Sequence, residues 1–181
     1  MWERRLAGAG IDCAFAESEW IYCHAANKTR GEIFFEQNRP CQEKVSAVGD
    51  AVVARRVTRE PLQYILGVAP FMEFELIVTP AVLIPRPETE ILVEFLLQHM
   101  PRGGRLLDVG TGSGAIALAS AYGRSDINVL ALDISEDALA VAERNRAMHG
   151  LTHRVELRRS DLLSAVASEE QFDMIAANLP Y

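Results

Sequence analysis

Nothing in the chain approaches the roughly 20 consecutive apolar residues of a membrane span, and the opening MWERRLAGAG lacks the apolar core of a secretory signal. No segment directs the chain to a membrane. Cysteine is scarce: Cys13, Cys23 and Cys41 are odd in number, lie in the first quarter and show no CxxC spacing. That pattern excludes a disulfide framework and fits a reduced, cytoplasmic protein. An excess of positive charge is also missing. The net charge is −7, which disfavours a protein that lives on nucleic acid, because neutralising phosphates takes a basic surface. Arg55, Arg56 and Arg59 form one local cluster and Arg154, Arg158 and Arg159 another, and both read as solvated faces. No metal-ligand constellation is expected.

What the chain does contain is the material of a globular protein, with 49% hydrophobic and 24% charged residues, enough for one domain plus a smaller one. Over residues 11–57 apolar residues recur at helical spacing: Phe15, Trp20, Ile21 and His24, then Ile33, Phe34 and Phe35, then Val45, Val48, Val52 and Val53. This predicts a bundle of short helices punctuated by Gly31, Pro40 and Gly49, with its aromatics in the core and His24 packed rather than ligating. From Tyr64 the texture changes. Tyr64-Ile65-Leu66 and FMEFELIV, with Gly67 and Pro70 between them, predict a β-hairpin or extended connector. Pro85 and Pro87 then hold Arg86 extended, and Pro87 opens a helix whose first turn carries Glu88 and Glu90 and which runs to about Met100. The domain division expected is 1–62, a helical domain; 63–84, a β-hairpin connector; and 85–181, the N-terminal part of an α/β domain.

The remainder alternates strand and helix. RLLDVG, INVLALDI, RVELRR and FDMIAAN read as strands; GAIALASAY and SEDALAVAERNRAMHG read as helices, the second with Ser135 as N-cap and Gly150 as stop. Such alternation predicts βαβ units, a parallel sheet and helices on both of its faces.

Between the first of these strands and its helix stands DVGTGSG, Asp108 to Gly114. Glycines 110, 112 and 114 let the backbone turn sharply and let a ligand approach the main chain in front of a helix N-terminus. The spacing is GxGxG rather than the dinucleotide GxGxxG, and Asp108 would repel a pyrophosphate, so a nicotinamide dinucleotide is the weaker reading. A carboxylate suits instead a ligand with a cationic amino-acid portion, such as S-adenosylmethionine. Asp133 ends the second strand about twenty residues further on, where an acid takes both ribose hydroxyls. Asp161, after the third strand and followed by Leu162, is placed to accept from the adenine amino group, although an Asp in such a place is often a helix cap. The candidate cofactor-binding residues are therefore Asp108, Gly110, Thr111, Gly112, Ser113, Gly114, Asp133, Asp161 and Leu162.

Asn178-Leu179-Pro180-Tyr181 follows the fourth strand, at the carboxyl edge where open α/β sheets bind ligands. An amide or aromatic-amine nitrogen is a poor nucleophile because its lone pair is delocalised. If the Asn178 side-chain oxygen and the Leu179 carbonyl each accept one N–H of a target NH₂, the group is oriented for in-line displacement without a strong base. Pro180 keeps Leu179 out of the helical region, and Tyr181 offers a flat surface to a planar target. Asn178 is thus the candidate catalytic residue, and Asn178, Leu179, Pro180 and Tyr181 the candidate substrate-binding ones.

REPLQYILG, VTPAVLIPRPETEILVE, LLDVGTGSGAIALA and the closing Asn-x-Pro-Tyr, in that order, resemble the release-factor glutamine methyltransferases, the HemK or PrmC family, over nearly the whole chain. The resemblance implies a class I S-adenosylmethionine-dependent methyltransferase domain, Rossmann-like and preceded by an N-terminal helical bundle that helps hold the release factor. It implies methylation of the glutamine side-chain amide in a Gly-Gly-Gln motif. It also implies that Arg86-Pro87-Glu88-Thr89 lies over the cofactor cleft, and that the partner of this monomer is a release factor rather than nucleic acid or membrane. Two departures stand out. Leu179 replaces the first Pro of Asn-Pro-Pro-Tyr, and Asn-Leu-Pro-Tyr is also similar to the motif of ribosomal RNA adenine dimethyltransferases, which keeps N6-adenine methylation of RNA or DNA as the alternative. A class I domain continues through a fifth strand and an antiparallel hairpin, whereas this sequence ends after the fourth strand and begins with a short opening segment. A C-terminally truncated member, or an inactive remnant of one, is the expectation that follows.

Overall fold

The computed structural model describes residues 1–36 and 42–179; Pro40, Cys41, Pro180 and Tyr181 lie outside the described residues. The chain divides into two compact units, Met1–Leu66 and Gly67–Tyr181.

The first unit is helical: α1 (Trp2–Gly8), α2 (Ala14–Ala26), α3 (Arg30–Glu36), α4 (Glu43–Arg56) and α5 (Leu62–Leu66). Its core gathers Leu6, Ile11, Ile21, Val45, Val52, Val53 and Leu62 around Trp2. Several sequence expectations change here. Gly49 does not punctuate the bundle but sits inside α4, because a Cβ there would stand 2.0 Å from the Trp2 ring. Phe15, Phe34 and Phe35 are exposed, not core, and His24 is exposed as well. The helical period marks which residues share a face but not whether a partner covers that face. Tyr64-Ile65-Leu66 is helical rather than extended, since Pro61 opens a turn whose carbonyl accepts from Tyr64 and Ile65 N–H.

The second unit opens with an antiparallel hairpin, β1 (Val68–Phe71) and β2 (Phe74–Ile77). Then come α6 (Pro87–His99), β3 (Arg105–Val109), α7 (Ala115–Gly123), β4 (Asn128–Asp133), α8 (Glu136–Met148), β5 (Val155–Arg159) and β6 (Met174–Ala177). Pro87 stands in the first turn of α6 beyond an extended Arg86. Ser135 Oγ accepts from Ala138 N–H at 3.2 Å, the cap predicted for α8, and Gly150 follows that helix at φ +67°.

Strands β3 to β6 form one parallel sheet in the order β5-β4-β3-β6. Leu106, Val129 and Ala131 belong to a core shared with α6 and α7, while Leu107, Val109, Leu130 and Leu132 pack with Val166 and Phe172 of the β5–β6 connection. The sequence predicts helices on both faces. Among the described residues that connection runs as turns, so the cluster around Leu107 is completed by side chains from a loop instead. No described helix is long and apolar enough to cross a membrane.

Candidate functional site

Strand register brings the sequence motifs to one edge. Val109 is level with Leu132 on one side and Ala177 on the other, and Asp133 is level with Arg159. The residues that follow each strand, Gly110, Ile134, Ser160 and Asn178, therefore meet at the carboxyl edge. There they line a cavity of about 730 Å³ together with Gly112, Asp133, Asp161, Leu162 and Leu179. Ala81, Leu83, Arg86, Glu88 and Thr89, from the segment leading into α6, supply another part of the wall.

The loop between β3 and α7 is fastened to β4, because the Gly110 and Thr111 N–H groups both donate to the Leu132 carbonyl, at 2.9 and 2.8 Å. At Gly110 φ is +74°, and a Cβ would lie 2.5 Å from Leu179 Cδ2, so a side chain is excluded twice over. Gly112, at φ +56°, would project a Cβ into open space with no atom within 4 Å. Its bare backbone leaves that part of the wall accessible.

Asp133 organises this wall. One carboxylate oxygen accepts from Gly112 N–H and the other from Ser135 N–H, both at 2.9 Å. Each oxygen retains lone-pair capacity for a further donor. Asp161 is exposed, and its carbonyl accepts from Ser164 N–H within a run of turns; no helix follows it, so it caps none. It stands on the wall beside Leu162, whose φ is +48°.

Asp108, Thr111, Ser113 and Gly114 stand behind the wall rather than on it. Asp108 is fully buried; its Oδ2 accepts from Thr111 Oγ1 at 2.6 Å, and among the described residues its Oδ1 has no hydrogen-bond partner. Burial pushes its pKa up to about 6, against the pull of the Thr111 hydroxyl. In this arrangement Asp108 acts on the shape of the loop. Asn178 and Leu179 do reach the cavity, and the Asn178 Nδ2 donates to Thr89 Oγ1 at 3.1 Å. Pro180 and Tyr181 lie outside the described residues.

Two contributors escape the sequence reading. The motif pattern marks Thr89 only as part of a turn. Asn145, on α8, is fully buried; its Oδ1 accepts from Ile77 N–H, and its Nδ2 donates to the Ile77 and Ser113 carbonyls. A buried Asn inside an otherwise ordinary amphipathic helix is the available signal, since such an amide is retained only where its groups are paired.

The comparisons with known proteins agree with the motifs. A model of the PrmC N-terminal domain matches residues 1–67, and one of the methyltransferase small domain matches residues 87–181. The release factor glutamine methyltransferase of Koribacter versatilis is 45% identical over 180 residues, covering 98% of this chain and 64% of that protein. That of Nitratidesulfovibrio vulgaris is 39% identical over 179 residues, covering 98% and 61%. The chain thus spans about three fifths of the length of the curated relatives it matches. Among solved structures, a ribosomal protein L11 methylase from Lactobacillus delbrueckii subsp. bulgaricus is similar at 32% identity and TM-score 0.48, covering 56% of this chain and 51% of that one. With its α/β class I fold and with a family model matching more than half its residues, the chain belongs to the methyltransferase small domain family.

Proposed function

We propose that this chain carries the cofactor site and the amide-orienting residues of an S-adenosylmethionine-dependent methyltransferase. Its target is the side-chain amide of the glutamine in the Gly-Gly-Gln segment of a peptide chain release factor. The observation that carries the reading is Asn178: it stands on the same cavity wall as Gly110, Gly112 and Asp133, and its one described side-chain hydrogen bond uses the amino end of the amide.

The residues present fit the cofactor. Gly110 and Gly112 offer main chain without side chains, and Asp133, fixed by two backbone donors, presents an acceptor suited to paired ribose hydroxyls. Asp161 and Leu162 stand where an adenine ring needs a polar acceptor and an apolar neighbour. Asp108 and Thr111 hold the loop from behind, with Ser113 and Gly114 leading into α7. When bound, S-adenosylmethionine supplies an electrophilic methyl group on a sulfonium sulfur.

The protein's part is orientation. Asn178 Oδ1 and the Leu179 carbonyl accept the two N–H groups of the target, which aims the nitrogen lone pair into the cavity. Acceptors preorganised in this way stabilise the positive charge that develops on nitrogen without reorganising. One N–H proton leaves to solvent after transfer. Pro180 and Tyr181 contribute through their sequence chemistry, a backbone restraint on Leu179 and a planar surface. The unit Met1–Leu66 serves in recognising the release factor, supported by its match to the PrmC N-terminal domain and by exposed Phe15, Phe34 and Phe35.

The deciding experiment incubates the protein with methyl-labelled cofactor and a release factor, followed by mass spectrometry. Label on the glutamine of Gly-Gly-Gln is expected. Label on adenines of added RNA, with none on the factor, sinks the proposal.

A further inference from the structure

We infer that Thr89 is the positioning residue for Asn178: its hydroxyl holds the amino end of the Asn178 amide so that the oxygen is presented to the target. The inference rests on the proposed role of Asn178 and extends it to a residue 89 positions earlier.

A carboxamide has a donor end and an acceptor end, and only the acceptor end can receive the N–H of a target NH₂. With the amide reversed, two NH₂ groups would face each other. Asn178 follows β6 at an exposed position, and among the described residues its side chain makes no hydrogen bond but the one to Thr89, and no donor reaches its Oδ1. Thr89 Oγ1 receives its Nδ2 at 3.1 Å. A target N–H arriving at Oδ1 polarises the amide and makes Nδ2 a better donor to Thr89, so the two bonds reinforce each other along one chain.

Thr89 is itself well anchored. It stands in the first turn of α6, where its N–H donates to the Arg86 carbonyl at 3.0 Å. One residue on, Glu90 Oε1 accepts from Met72 N–H at 2.7 Å and ties this turn to the β1–β2 hairpin. The hydroxyl is therefore offered from a braced helix end rather than from a loop.

The test uses the whole chain, labelled with ¹⁵N-asparagine, and two substitutions, Thr89→Val, which keeps the shape and removes the acceptor, and Thr89→Ser, which keeps the acceptor. The Asn178 side-chain resonances are identified by their disappearance in Asn178→Ala. Thr89→Val should move one Asn178 Nδ2 proton upfield, and Thr89→Ser should restore it. In methyl transfer to a release factor, Thr89→Val should lower kcat roughly tenfold, with KM and cofactor affinity within about twofold, the scale of one net hydrogen bond. Asn178 resonances that stay in place in Thr89→Val overturn the inference, as does full turnover in Thr89→Val where Asn178→Ala is inactive. Full turnover in Asn178→Ala overturns the proposed function instead, and the spectrum still decides the contact.

Discussion

Asn145 and Ile77 pair in both directions, the side-chain Oδ1 accepting from Ile77 N–H at 2.7 Å and Nδ2 donating to its carbonyl at 3.0 Å. The amide thus imitates the edge of a neighbouring strand, and the same Nδ2 also reaches the Ser113 carbonyl at 2.9 Å. One buried side chain fastens the connector to the glycine loop. Asn145→Ala leaves an N–H and two carbonyls without partners and should cost about 2–4 kcal/mol. Urea titration checks this, and an unchanged midpoint would remove Asn145 from the frame of the site.

Asp133→Ala removes the acceptor for Gly112 and Ser135 N–H as well as the proposed ribose contact. Binding of S-adenosylhomocysteine, followed by calorimetry, should weaken by about 1.5–3 kcal/mol. Equal affinity in variant and wild type would reduce Asp133 to a strand-end residue.

Asn178→Ala should lower methyl transfer by roughly two to three orders of magnitude, the scale on which a preorganised partner of the transition state acts. Cofactor affinity should hardly change, because the proposed partner of this amide is the target rather than the cofactor. A matching drop in cofactor affinity would assign Asn178 to the other ligand.

Asp108 makes stability depend on pH in a definite direction. Its carboxyl ionises near 3.8 when unfolded and at about 6 when folded, so the folded state holds the proton more tightly. The stabilisation is fully present below about pH 4 and disappears as pH rises through 6. Asp108→Asn keeps the neutral form throughout, so its stability relative to wild type should rise by on the order of 2–3 kcal/mol between about pH 4 and pH 7. Paired urea titrations across that range decide it, and a difference that is flat or falls with pH contradicts the burial argument.

In the first unit, Gly49→Ala forces a methyl group against the Trp2 ring, whose nearest atoms lie 2.0 Å from the added carbon. Displacing Trp2 also breaks its indole N–H bond to Asp50 Oδ1 at 3.1 Å. A clash of this kind costs about 1–3 kcal/mol and outweighs the ~1 kcal/mol helix-propensity gain of Ala over Gly. Thermal unfolding followed by tryptophan fluorescence should show a lower midpoint in the variant.

Sequence alone determined the parts of this protein that depend on local order. Strand and helix alternation, the Ser135 cap, the Pro87 helix start and the glycine turn after β3 are written in periodicity and in residues with restricted or unusual backbone preferences. Parallel pairing then carries Gly110, Asp133, Asp161 and Asn178 to one edge, because every crossover, helical or not, returns the chain in the same direction. Tertiary structure alone decided which side chains meet across distance. The burial of Asp108 behind the cavity wall, the clamp of Asn145 on Ile77 and Ser113, the room Gly49 leaves for Trp2, and the hydroxyl of Thr89 under Asn178 each join residues with no local sequence relation. So did the exposure of Phe15, Phe34 and Phe35, since a helical stripe becomes core only where another element covers it.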